Sequence, residues 1–149
     1  GGRFELSGLS GECGFGERDV KLSPSVSVNA EKLVYSCGFG RDGRPIDAEL
    51  FLEASKGKGL SAFRYERDGV LLVGGQEIAV KSVHHFEGGK MPALTPLGYA
   101  FELDGRQIGA VDLNGLDKTL YLPREPRQRE AVLAASLALS VFWDPADSD

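Results

Sequence analysis

The chain has 149 residues, 42% of them apolar and 26% charged, with a formal net charge of −5. That length supports one sizeable core and rarely two. The negative balance argues against nucleic acid as a partner, since such binding rests on clustered Lys and Arg, and no run reaches the ~20 apolar residues that a membrane-crossing helix needs.

The sequence opens on Gly1-Gly2 without an initiator Met. Residues upstream are therefore expected to have been removed, either a signal peptide or lipoprotein leader, or a trimmed tail or neighbouring domain. Arg3 to Leu9 alternates Phe4 and Leu6 against Glu5 and Ser7, and Asp19 to Ser23 and Ser25 to Ala30 alternate in the same way; each reads as a short strand. The two cysteines sit in one repeated tetrapeptide, Cys13-Gly-Phe-Gly16 and Cys37-Gly-Phe-Gly40. Gly-Phe-Gly reads as a strand that bends on either side of an inward ring, and the repeat as the trace of a duplication, as two equivalent turns, or as coincidence. An even cysteine count permits a Cys13–Cys37 disulfide closing a loop of about 25 residues, worth roughly 3–4 kcal/mol in the chain-entropy model. Such a bond goes with a periplasmic or otherwise extracytoplasmic location; in the cytoplasm the same residues would be two buried thiols.

Lys32 to Phe39 reads as a further strand, and Asp42-Gly43 as a turn. Ile46 to Ala54 then puts Ile46, Ala48, Leu50, Leu52 and Ala54 on one face and Asp47, Glu49 and Glu53 on the other, the cleanest period of two in the chain. Leu60 to Arg67 and Val70 to Val73 flank Asp68-Gly69, which suits a type I′ hairpin turn. Gly74-Gly75 leads into Gln76 to Val83. Tyr99 to Leu103 and Gln107 to Leu113 flank Asp104-Gly105, and Asn114-Gly115 turns the chain into Lys118 to Leu122. Pro126 opens a helix over about 127–143, Asp144-Pro145 stops it, and 145–149 form a loose tail. From Ala131 to Trp143 this helix carries no charge, and only Ser136 and Ser140 interrupt its apolar surface. A helix apolar on every side must be enclosed, and its ~25 Å length matches a seven-residue strand. The expected fold is one domain over 1–149, mainly β, an antiparallel β-barrel of nine to eleven strands around one buried hydrophobic C-terminal α-helix.

The order strand Tyr99-Ala-Phe-Glu-Leu, turn Asp104-Gly105, strand Gln107-Ile-Gly-Ala-Val, strand Thr119-Leu-Tyr-Leu-Pro and then the apolar helix resembles the tubby C-terminal-like superfamily, which includes the LURP-one-related proteins and the phospholipid scramblases. The resemblance is architectural and covers about a third of the chain. It implies a barrel threaded by its C-terminal helix, and a binding role in which exterior basic residues meet phosphoinositide head groups. Lys56, Lys58, Arg64 and Arg67 are the candidates for that role here, with solvated surface charge as the competing reading. A pleckstrin-homology-like sandwich or lipocalin-like barrel with its helix outside is the alternative fold, but such helices are amphipathic.

No HExxH, CxxC, GxSxG or P-loop pattern occurs, so no cofactor and no catalytic residue is expected. His84 and His85 are weak metal candidates, because adjacent strand residues point to opposite faces. Asp112, Asn114 and Asp117 have oxygen ligands around a Gly turn but lack an EF-hand Glu. The expected function is a non-catalytic binding or interaction module whose partner is a lipid head group or a protein. An exported, envelope-associated structural protein is the alternative, and an enzyme using His84 or His85 the second.

Overall fold

The computed structural model describes residues 2–16, 21–23, 26–27, 34–56, 65–83, 98–113 and 118–142. Among these residues eleven strands precede one helix: β1 (Gly2–Leu6), β2 (Leu9–Gly16), β3 (Lys21–Ser23), β4 (Val26–Ser27), β5 (Val34–Arg41), β6 (Arg44–Lys56), β7 (Tyr65–Val73), β8 (Gln76–Val83), β9 (Gly98–Leu103), β10 (Arg106–Asp112), β11 (Thr119–Tyr121) and α1 (Pro126–Phe142). Nine strands form one antiparallel sheet in the order β1-β2-β5-β6-β7-β8-β9-β10-β11, while β3 and β4 pair separately. Every pair of neighbours among the described strands of that sheet is consecutive in the chain except β2 and β5, between which β3 and β4 intervene.

The period of two in β6 is realised as expected. Ala48, Leu50 and Leu52 are buried, whereas Asp47 and Glu49 are exposed. Inward residues from the other strands, among them Tyr35, Leu71, Ile78, Val80, Tyr99, Phe101 and Val111, complete the wall of the core. The helix fills the space they line. It touches β1, β2, β5, β6, β7 and β10, strands from both ends of the sheet order, so the sheet curls around it. Ala131, Val132, Ala134, Ala135, Ser136, Ala138 and Leu139 are all at most 1% exposed. Four of those seven are alanines, short enough for the strands to approach the helix closely from several sides.

The curl stops short of the closed barrel expected from the sequence. No pairing joins β1 to β11 among the described strands, which leaves both as edges. The helix shows where the opening lies. Val132 packs on Gly109 of β10, Ala131 lies with Val73 near the β7–β8 turn, and Glu130 meets Arg41 at the end of β5. Leu133, Leu137 and Ser140, the residues of the 131–140 stretch that are half-buried rather than fully enclosed, fall within about 60° of one another at 100° per residue and mark the less enclosed side.

Tight turns connect the strands at one end of the sheet. Ser7-Gly8, Asp42-Gly43 and Asp104-Gly105 adopt positive φ at both positions, and Gly74 of Gly74-Gly75 also does. Left-handed backbone at both central residues is what a type I′ hairpin requires. Two expectations fail in physically clear ways. Arg3–Leu9 is not one strand, because Ser7 accepts a φ of 51° and turns the chain at Gly8. Asp68-Gly69 is not a turn: it lies inside β7, with Asp68 opposite Glu53 and Gly69 opposite Leu52. A Cβ at Gly69 would lie 1.9 Å from the Phe51 carbonyl oxygen, so this glycine serves a close approach of strands and not a reversal. The expected strands 19–23 and 25–30 are realised as the short β3 and β4. Trp143, the expected Asn114-Gly115 turn and the tail 145–149 lie outside the described residues.

Candidate functional site

The repeated Cys-Gly-Phe-Gly segments form strand, not bends, and lie side by side. β2 and β5 pair antiparallel with Cys13 directly opposite Cys37, so the two tetrapeptides run away from that pair in opposite directions. The cysteines are joined by a disulfide with their Cα atoms 4.1 Å apart. Alternation then sorts each strand by face. Leu9 and Cys13 of β2, and Tyr35, Cys37 and Phe39 of β5, turn inward and are buried. Ser10, Glu12 and Gly14 face outward next to Gly40, Gly38 and Ser36.

Glycine at an outward strand position leaves the backbone bare. A Cβ at Gly38 would meet nothing within 4 Å. The result is a groove of about 630 Å³ over the outer face of β1, β2, β5 and the start of β6, lined among others by Arg3, Glu5, Ser10, Glu12, Gly38 and Arg44. Its floor is held from two directions. The disulfide ties β2 to β5 from beneath, and the Ser10 hydroxyl donates to the Gly40 carbonyl at 3.3 Å. Phe4 is half-buried beneath β1, with its ring centroid 6.4 Å from that of Phe39. The wall charges are uncommitted: Arg3 meets Glu12 at 3.5 Å, but their side chains are 81% and 76% exposed, and such a pair is worth at most about 1 kcal/mol. Two arginines and two glutamates in one lining make the groove electrically balanced. It suits a ligand that carries both signs and disfavours a polyanion, which would meet Glu5 and Glu12.

A smaller cavity of about 350 Å³ lies at the helix entrance, among Ile46, Asp47, Ala48, Val73, Arg127 and Glu130. Of its polar groups, Glu130 is already engaged. Arg41 Nε donates to Glu130 at 2.5 Å, and a second donation from the same guanidinium reaches the Ser7 carbonyl at 3.5 Å. The Glu125 carboxylate caps the helix by accepting from the Gln128 N–H at 2.8 Å.

Of the residues singled out from the sequence, Cys13 and Cys37 are the disulfide beneath the groove. Lys56 ends β6, about 40 Å of extended strand from Arg44 at ~3.3 Å per residue, and Arg67 lies in β7 opposite Ala54. Their backbone positions are therefore toward the far end of the strands from the Arg44 side of the groove. Lys58, Arg64, His84 and His85 lie outside the described residues. Among the described residues no group of three His, Cys, Asp or Glu is placed to hold a metal, and no helix is long and apolar enough to cross a membrane. Arg3, Glu5, Ser10, Glu12 and Arg44 were not singled out. The signal that pointed to them was the tetrapeptide itself, which read with a period of two puts Cys and Phe on one face and both glycines on the other. No protein-family model, no curated protein and no solved structure matches this chain.

Proposed function

We propose that this chain is a non-catalytic binding module of tubby-like build, a curled antiparallel barrel around its C-terminal helix, which holds a peptide-like ligand in the glycine-floored groove. The observation that carries the reading is the bare backbone at Gly38, beside Gly40, between walls of balanced charge. A floor without side chains lets an extended ligand lie against the sheet, and Arg3, Arg44, Glu5 and Glu12 offer partners to both its positive and its negative groups. The test is selection of a displayed random-peptide library on the wild-type protein and on Gly38→Trp, a variant with room for its ring on an exposed face. Peptides that bind the wild type and are lost on the variant support the groove. Failure to enrich any peptide, or equal binding to both proteins, overturns it.

A second reading, an exported protein of the cell envelope, is favoured by the buried Cys13–Cys37 bond, since such bonds persist in oxidising compartments. Alkylation of the native protein at the moment of cell lysis should find no free thiol under non-denaturing or denaturing conditions. Two alkylated cysteines would place the working protein in a reducing compartment.

A further inference from the structure

We propose that two copies of this chain associate by pairing their β1 strands edge to edge, antiparallel, about a two-fold axis at Phe4. The proposal concerns the sheet edge and does not rest on the groove reading. β1 is paired only on its β2 side among the described strands. Because a two-residue turn joins β1 to β2, Leu6 and Leu9 are the hydrogen-bonded pair that closes it. Alternation then assigns every backbone group in β1. Gly2, Phe4 and Leu6 direct their N–H and C=O groups toward Cys13, Gly11 and Leu9, and Arg3 and Glu5 direct theirs to the free edge.

A second strand can therefore hydrogen-bond only through Arg3 and Glu5, which restricts β1–β1 pairing to a few registers. Centred on Arg3, it sets guanidinium against guanidinium. Centred on Glu5, it sets carboxylate against carboxylate, and like charges directly opposite are destabilising. Centred on Phe4, it uses both free-edge residues of both copies and places each Arg3 opposite the partner's Glu5. In this register Arg3 lies between Glu12 of its own β2, already at 3.5 Å, and a second carboxylate. On the inner face, Leu6, an unusually exposed apolar residue at 56%, lies opposite the partner's Gly2, which leaves it space, and the two Phe4 rings meet at the axis. An isologous contact of this kind closes at the dimer, whereas β1 against a partner's β11 would continue as a filament.

A single five-residue strand pair is small, so the association is weak. Sedimentation equilibrium from about 10 μM to about 1 mM should show a monomer–dimer equilibrium in that range. Arg3→Glu and Glu5→Arg, each setting like charges opposite, should weaken it by about tenfold, and the double swap R3E/E5R should restore it, because the same register again opposes unlike charges. Glu5→Pro removes a free-edge N–H without touching the β1–β2 ladder; it should leave the circular dichroism unchanged and the protein monomeric. A wild type that stays monomeric throughout overturns the proposal, as do a dimer indifferent to the charge swaps and assembly that continues beyond the dimer.

Discussion

Tyr35 and Glu125 show at single positions how the two halves of this fold respond to pH in opposite directions. Tyr35 is 2% exposed; burial, and then the neighbouring Tyr99, push its phenol above the ordinary value of 10.0. The folded value is raised, so the group's contribution is fully present below the unfolded value and is lost as pH rises through the folded one. An alkaline absorbance titration should show this tyrosine ionising only with loss of the fold; ionisation at the ordinary phenol pH in folded protein would contradict its enclosure. Glu125 runs the other way. Hydrogen bonds from the Gln128 and Arg127 N–H groups lower it below 4.5, so its capping is in place above that value and fades as pH falls through the lowered one. Carboxyl-carbon NMR should give it a midpoint below 4.5, and a midpoint at or above it would remove the cap from the account. Gly69 has a steric role. With the Phe51 oxygen 1.9 Å from where a methyl would sit, Gly69→Ala should cost about 1–3 kcal/mol in denaturant unfolding. A neutral substitution would show that β6 and β7 can separate locally.

At the scale of elements, β6 was legible because it keeps a period of two without interruption, and the helix because its stretch from Ala131 carries no charge. The helix is apolar on all sides and is enclosed on nearly all of them. Leu139, 0% exposed, is the largest fully buried helix side chain among the described residues, and Leu139→Ala should lower stability by about 2–5 kcal/mol through the cavity it leaves; a loss under about 1 kcal/mol would mean the sheet relaxes inward. What the sequence hid was turn placement. Asp-Gly is a turn at 42–43 and 104–105 but strand at 68–69, since Gly satisfies both a left-handed φ and a close backbone approach, and composition does not separate the two uses. Ser7-Gly8 was hidden for the opposite reason: Ser is an uncommon residue for the first position of a type I′ turn, and the apolar pattern runs on through it. The groove was half legible, its glycines in plain view in the repeat but their meaning set by β2 lying beside β5, a long-range pairing that no local pattern contains.

For the whole molecule, that β2–β5 junction is where chain connectivity helps least, because β3 and β4 intervene between its strands. The disulfide sits there. Replacing both cysteines by alanine should retain the β-sheet spectrum but lower the unfolding free energy by about 3–4 kcal/mol, the value for a loop of this length. An unchanged midpoint would mean the junction is held by packing and ladder alone. The position of the helix in the chain has a further consequence. Early and late strands of the sheet both rest on α1, and every described strand precedes it in sequence. A nascent or translocating polypeptide therefore cannot assemble its interior piecemeal: until α1 is made, the strands that precede it have nothing to close upon.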